Sequence, residues 1–156
     1  MTAQAWQQAF PDCEEFVFEV VSRVFAEDPP FMPVGAKVEE VEIAVLLADD
    51  DTLRQLNGSW RGIDQPTNVL SFPAARGMQI AGYPLFLGDI ALGFETVARE
   101  AGEQNKHLAQ HAAHLIVHGT LHLLGCDHHT NTDAVIMEAH EIRILAALNI
   151  PNPYED

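Results

Sequence analysis

One short stretch, His118-Gly119-Thr120-Leu121-His122-Leu123-Leu124-Gly125-Cys126-Asp127-His128, carries the densest chemistry in the chain. His118 and His122 are four residues apart, so on a helix they lie one turn apart on the same face. Gly125 tolerates the left-handed backbone that ends a helix. His128 comes six residues after His122, far enough for a turn to swing a third imidazole back. Three neutral imidazoles with a fourth position open are the ligand set of a catalytic zinc site.

The spacing H-x3-H-x5-H with its glycine matches the metzincin metal signature at His118, His122, Gly125 and His128. The match fails at one informative place. Gly119 stands where that signature has the glutamate that takes a proton during peptide hydrolysis. The stretch therefore predicts a metal site and speaks against a protease. Its neighbours have less certain chemistry by type. His114, one turn before His118, can orient a ligand or line a cleft, and Asp127 is either an outer carboxylate that orients a ligand or a turn residue. Cys126 is an extra ligand or a small buried residue at a helix end. His107 and His111 read as a solvated or partly packed face, and His129 points elsewhere.

The elements that must position these residues follow from periodicity and punctuation. An apolar face through Phe16, Val20 and Val24 predicts a helix over 11–27, stopped by Asp28-Pro29-Pro30, with a loop over 31–37. Residues 40–48 alternate and then become uniformly apolar, as in a strand buried on at least one face. Asp49-Asp50-Asp51-Thr52 caps a short helix to about Asn57, closed by Asn57-Gly58, so that Arg61 falls on a polar loop before a strand over 67–72. Residues 74–84 read as a surface loop, and 85–92 as a strand with Gly88-Asp89 a bulge or close backbone approach. A helix over 95–102 precedes a longer one, capped by Asn105 and running to about Leu124. A last helix from Thr130 packs Val135, Ile136, Ala139, Ile142 and Leu145 to Ala147 inward. This order predicts one α+β domain over 1–156, with a small mixed sheet of about three to four strands, about five helices, and the metal site at the C-terminal end of a long helix.

Composition bounds the function. The chain has 156 residues, 47% of them hydrophobic, with two cysteines and a formal net charge of −15. Two cysteines do not make a disulfide framework. No apolar run approaches the ~20 residues of a membrane span, and the first residues lack the basic start of a signal peptide, so a cytoplasmic protein without membrane partners is expected. The acidity argues against tight, non-specific binding of bare nucleic acid, although an acidic chain can still bind RNA through a local positive patch plus a metal ion.

At this point the chain resembles a known family. The His118–His128 stretch is similar to the signature of the YbeY endoribonucleases. So are Leu56-Asn57-Gly58-Ser59-Trp60-Arg61 with Gln65-Pro66-Thr67-Asn68-Val69-Leu70-Ser71-Phe72-Pro73, then Leu87-Gly88-Asp89-Ile90, then Met137-Glu138 with Glu141. Together these span about residues 41 to 148. Two features depart from it: Cys126 stands where the family usually has tyrosine, and the first 30 residues look unlike its usual opening strand. The resemblance implies a zincin-like fold and a metal-dependent, single-strand-specific endoribonuclease. Such enzymes act in ribosomal RNA processing, notably at the 3′ end of the small-subunit rRNA, and in ribosome quality control. It implies one zinc ion on His118, His122 and His128, a functional Arg61, and ribosomal proteins or the ribosome as partners.

The chemistry is consistent with that expectation. A tri-His zinc lowers the pKa of bound water to about 7, so the missing glutamate matters less for a phosphodiester than for a peptide. RNA also carries its own 2′-OH. Charge develops on the non-bridging oxygens, where a guanidinium such as that of Arg61 can bind phosphate bidentately. Ser71 and His114 are further candidates for contacts to RNA or the cleft. Two other readings stay open: a metal-dependent hydrolase of another substrate, and a non-catalytic ribosome assembly factor whose zinc is structural.

Overall fold

The three apolar stretches expected to be strands pair into one mixed sheet. β1 (Val41–Ala48) runs parallel to β3 (Leu85–Gly93), and β2 (Val69–Pro73) runs antiparallel to β3, in the order β1-β3-β2. The computed structural model describes residues 3–27, 41–74, 84–126 and 129–155. Six helices complete these residues: α1 (Gln4–Ala9), α2 (Cys13–Ala26), α3 (Asp50–Arg61), α4 (Phe94–Glu103), α5 (Leu108–Leu123) and α6 (Asn131–Ala147). The architecture is α+β, as expected. None of the described helices is long and apolar enough to cross a membrane. The loops expected over 31–37 and most of 74–84 lie outside the described residues.

Both faces of the sheet are covered. On one, Leu47, Ile90 and Leu92 pack with Val20 and Val24 of α2 and Ile116 and Leu121 of α5. On the other, Ala48, Leu70 and Ala91 pack with Leu53 of α3. The close approach expected at Gly88-Asp89 is real. The β1–β3 register slips here, with Glu42 opposite Phe86 but Ile43 opposite Gly88. Gly88 has φ +140°, and a Cβ on it would sit 2.3 Å from the carbonyl oxygen of Phe72. Only glycine accepts that conformation and that contact.

Capping explains where several helices begin. The Asp49 carboxylate accepts the N–H of Thr52 at 2.9 Å, and the Thr130 hydroxyl accepts that of Asp133 at 3.0 Å. Asp50 does different work: its carboxylate accepts the backbone N–H and the hydroxyl of Thr96, tying α3 to the start of α4.

Four expectations need correction. α3 does not close at Asn57-Gly58 but runs on to Arg61, because Asn57 is buried with its amide donating to the Gln65 carbonyl, and Gly62 takes the left-handed stop. Asn105 does not cap α5; at φ +55° it ends α4, and α5 starts after His107. The inner face of α6 is rotated from the expected one. Val135 (65% exposed) and Ile136 (48%) face outward with Ala139, while Met137, Glu141, Ile144 and Leu145 are buried. Finally, the helix over 11–27 is preceded by α1. Trp6 of α1 is buried, donates its indole N–H to the Ala48 carbonyl at 2.8 Å, and packs edge-on against Phe10 and Phe94.

Candidate metal centre

α5 carries the histidines because its other faces are apolar enough to bury it. Ala112, Ala113, Ile116, Val117 and Leu121 lie in the core, which leaves His114, His118 and His122 half-buried on one side. The Nε2 atoms of His118 and His122 lie 3.0 Å apart, with ring centroids at 4.6 Å. Two nitrogens sharing a tetrahedral zinc at ~2.0–2.1 Å would lie about 3.3 Å apart, so the pair converges on one ion without rebuilding the helix. α5 ends at Leu123, and Gly125 at φ +99° turns the chain out of it, as the sequence required. Among the described residues no group of three metal-binding side chains is assembled. His128, the expected third ligand, and Asp127 lie outside the described residues.

A carboxylate supports the pair from α6. Glu141 is fully buried, and its Oε1 accepts the Nδ1–H of His118 at 2.5 Å. This hydrogen bond puts the His118 proton on Nδ1 and makes Nε2 the acceptor, which is the tautomer a metal ligand needs. The other oxygen, Oε2, accepts the Tyr154 hydroxyl and lies 3.6 Å from His114 Nε2. Burial would raise the Glu141 carboxyl, but its hydrogen bonds with His114, His118 and Tyr154 outweigh burial and hold it down at about 2. The carboxylate is therefore ionised at any physiological pH. Periodicity could not find this role, because a glutamate on an apolar helix face carries no spacing signal of its own.

The remaining candidates are placed as follows. Ser71, on β2, donates to the carbonyl of Gly119 at 3.3 Å, linking the outer strand to α5 one residue past His118. A Cβ on Gly119 would come within 3.0 Å of Ser71 Oγ and 3.1 Å of Ile90, so the position that could hold a base is packed against the sheet. His114 Nε2 lies 3.2 Å from the Tyr154 hydroxyl. His111 is buried, and its Nε2–H donates to Glu100 at 2.9 Å; burial lowers its pKa, and Glu100 only partly offsets this. It ties α5 to α4. His107 is exposed, and Cys126 is buried in the main core.

Arg61 is the last residue of α3 and is exposed. Among the described residues, Arg23, Arg54, Arg99, Lys106 and Arg143 all engage acidic side chains or backbone carbonyls, as in the 2.7 Å pair of Arg54 with Asp64. Among the described residues Arg61 has no such partner. Trp60 beside it is 72% exposed and lies 5.9 Å from the Phe72 ring of β2. Ser71 and Phe72 are consecutive on β2 and face opposite sides of the sheet, so this strand at the end of the sheet separates α5 from Trp60.

The comparisons agree with this picture. A family model described as Endoribonuclease YbeY matches residues 12–149. The chain is 45% identical to an Endoribonuclease YbeY of Bradyrhizobium sp., covering 100% of this chain and 90% of that protein. It is 47% identical to that of Bradyrhizobium diazoefficiens, over 100% and 83%, and 47% identical to that of Paramagnetospirillum magneticum, over 96% and 90%. In fold, it resembles TM1509 from Thermotoga maritima, a solution structure, with a TM-score of 0.53 and 22% identity over 99% of this chain and 93% of that one. The match over residues 12–149 and identities of 45% and 47% over 100% of the chain show that it belongs to the endoribonuclease YbeY family.

Proposed function

We propose that this endoribonuclease holds one zinc ion on His118, His122 and His128 and uses it to cut single-stranded RNA. The chain acts in ribosomal RNA processing. The observation that carries the zinc reading is the convergence of the His118 and His122 Nε2 atoms, backed by the Glu141 carboxylate on His118 Nδ1. When bound, zinc supplies a Lewis acid for a phosphoryl oxygen and acidifies water.

The chain's own residues do the rest. Glu141 fixes the ring of His118. Arg61 neutralises charge on the non-bridging phosphate oxygens, and its lack of a partner among the described residues supports that role. Trp60 offers an exposed ring on which an unpaired base stacks, which favours single strands over duplexes. His114, beside Tyr154, and Ser71, against Gly119, are proposed to contact RNA, with Asp127 orienting a ligand. The ribosome or its proteins bring the substrate to a chain of net charge −15, which attracts RNA poorly by itself. The whole chain works as one domain in the cytoplasm.

The test pairs zinc analysis with cleavage. Purified protein is incubated with labelled single-stranded RNA, duplex RNA and casein, before and after chelation and zinc return. Expected are one zinc per chain and cleavage of single-stranded RNA that chelator abolishes and zinc restores. Undiminished cleavage by metal-stripped protein removes zinc from the reading. Casein cleavage without RNA cleavage sinks the nuclease.

A further inference from the structure

The family model ends at residue 149, yet the chain that follows α6 returns to the histidines. Lys106 Nζ donates to the Pro153 carbonyl at 3.4 Å, and Tyr154 N donates to Asn152 Oδ1 at 2.8 Å, which shapes this segment. The Tyr154 ring packs edge-on against His114, with centroids 5.4 Å apart. Its hydroxyl bonds to Glu141 Oε2, while Glu141 Oε1 holds His118.

The protons in this array can be assigned. A carboxylate oxygen, Glu141 Oε2, accepts the Tyr154 hydroxyl. The single Tyr154 hydrogen therefore goes to Oε2, and His114 Nε2–H donates to the Tyr154 oxygen. His118 Nδ1–H goes to Oε1. Both oxygens of a fully buried carboxylate are thus engaged from two sides, and the carboxylate has one way to sit. Losing the Tyr154 hydroxyl would leave Oε2 with only His114 at 3.6 Å. Glu141 would then turn toward His114 and loosen its hold on His118.

We propose that the C-terminal segment is part of the metal centre, with Tyr154 a positioning residue that acts through Glu141 to keep His118 Nε2 aimed at the ion. This rests on the zinc reading of His118 and His122. Outer-shell partners of this kind typically govern metal affinity by 10–100-fold.

The experiment uses the full chain, stripped of metal and titrated with zinc against a chromogenic chelator. Tyr154→Phe keeps the ring against His114 and removes only the hydroxyl. Its zinc Kd is expected to rise about 10–100-fold. Its melting temperature with excess chelator falls by only about 2–4 °C, the effect of one lost hydrogen bond in a chain of this size. Glu141→Gln weakens zinc at least as much, and adding Tyr154→Phe to it costs little more. A zinc Kd for Tyr154→Phe within twofold of the parent overturns the proposal, as do fully additive losses in the double variant. A parent chain that binds no zinc overturns the zinc reading itself, and this proposal with it.

Discussion

The Nε2 atoms of His118 and His122 lie 3.0 Å apart on successive turns of α5, and the His118 ring is held from behind by the Glu141 carboxylate. The loss of His118 therefore has two effects. His118→Ala removes a ligand and also strips a hydrogen bond from a buried, ionised Glu141, so it should lose zinc and about 1–3 kcal/mol of stability. His122→Ala should lose zinc as well. Zinc stoichiometry and urea melts of the metal-free proteins separate the two. Retention of stoichiometric zinc by His118→Ala sinks the ligand assignment.

Arg61→Ala is expected to leave the fold intact, since the residue is exposed at the end of α3 and has no partner among the described residues. Single-turnover cleavage of a labelled single strand should fall about 10²–10³-fold, the effect of removing one preorganised charge from a phosphoryl site. Zinc content should not change. Wild-type turnover in the zinc-loaded variant would exclude Arg61 from the reaction.

Trp60→Ala tests the stacking surface separately from the chemistry. Binding of a single-stranded oligonucleotide should weaken by about 1–3 kcal/mol, with little change in affinity for a duplex. Equal loss for both would show that Trp60 supports α3 and its neighbours rather than a base.

Asp49 links the fold to pH. Its carboxyl is held below its ordinary 3.8 by hydrogen bonds with Thr52 at the start of α3. A depressed folded-state pKa contributes stability that is present above the unfolded value and lost as pH falls through the folded one. Asp49→Ala should therefore cost about 1 kcal/mol at pH 7. The difference from the parent should shrink below pH ~4. Denaturant melts at the two pH values read this directly.

Gly88→Ala should be the most damaging single methyl in the sheet. The new Cβ would meet the Phe72 carbonyl oxygen at 2.3 Å, in a backbone conformation that alanine rarely adopts. A loss of about 3 kcal/mol or more is expected. Normal stability would mean that β2 can move away from β3.

The elements that were legible in the sequence are those whose signals are local. β1 and β3 showed in their apolar runs, α5 in its histidine spacing, and the starts of α3 and α6 in Asp49 and Thr130. The misreadings share a cause. Asn57-Gly58 resembles a helix stop until Asn57 finds the Gln65 carbonyl, a partner eight residues on. Val135 and Ile136 look like an inner face until Glu141 claims the interior. α1 is short, and what holds it is a tryptophan that reaches Ala48, 42 residues away.

For the site itself, sequence alone determined the residue types that could hold a metal, their helical phase, the glycine exit and the missing base at Gly119, because side-chain phase on a helix depends only on spacing. Tertiary structure alone decided which groups stand behind those ligands. Glu141 and Tyr154 lie 23 and 36 residues beyond His118, and no periodicity connects them to it. They meet because α6 and the segment after it fold back over α5, and because a buried carboxylate must satisfy both oxygens wherever the packing leaves it.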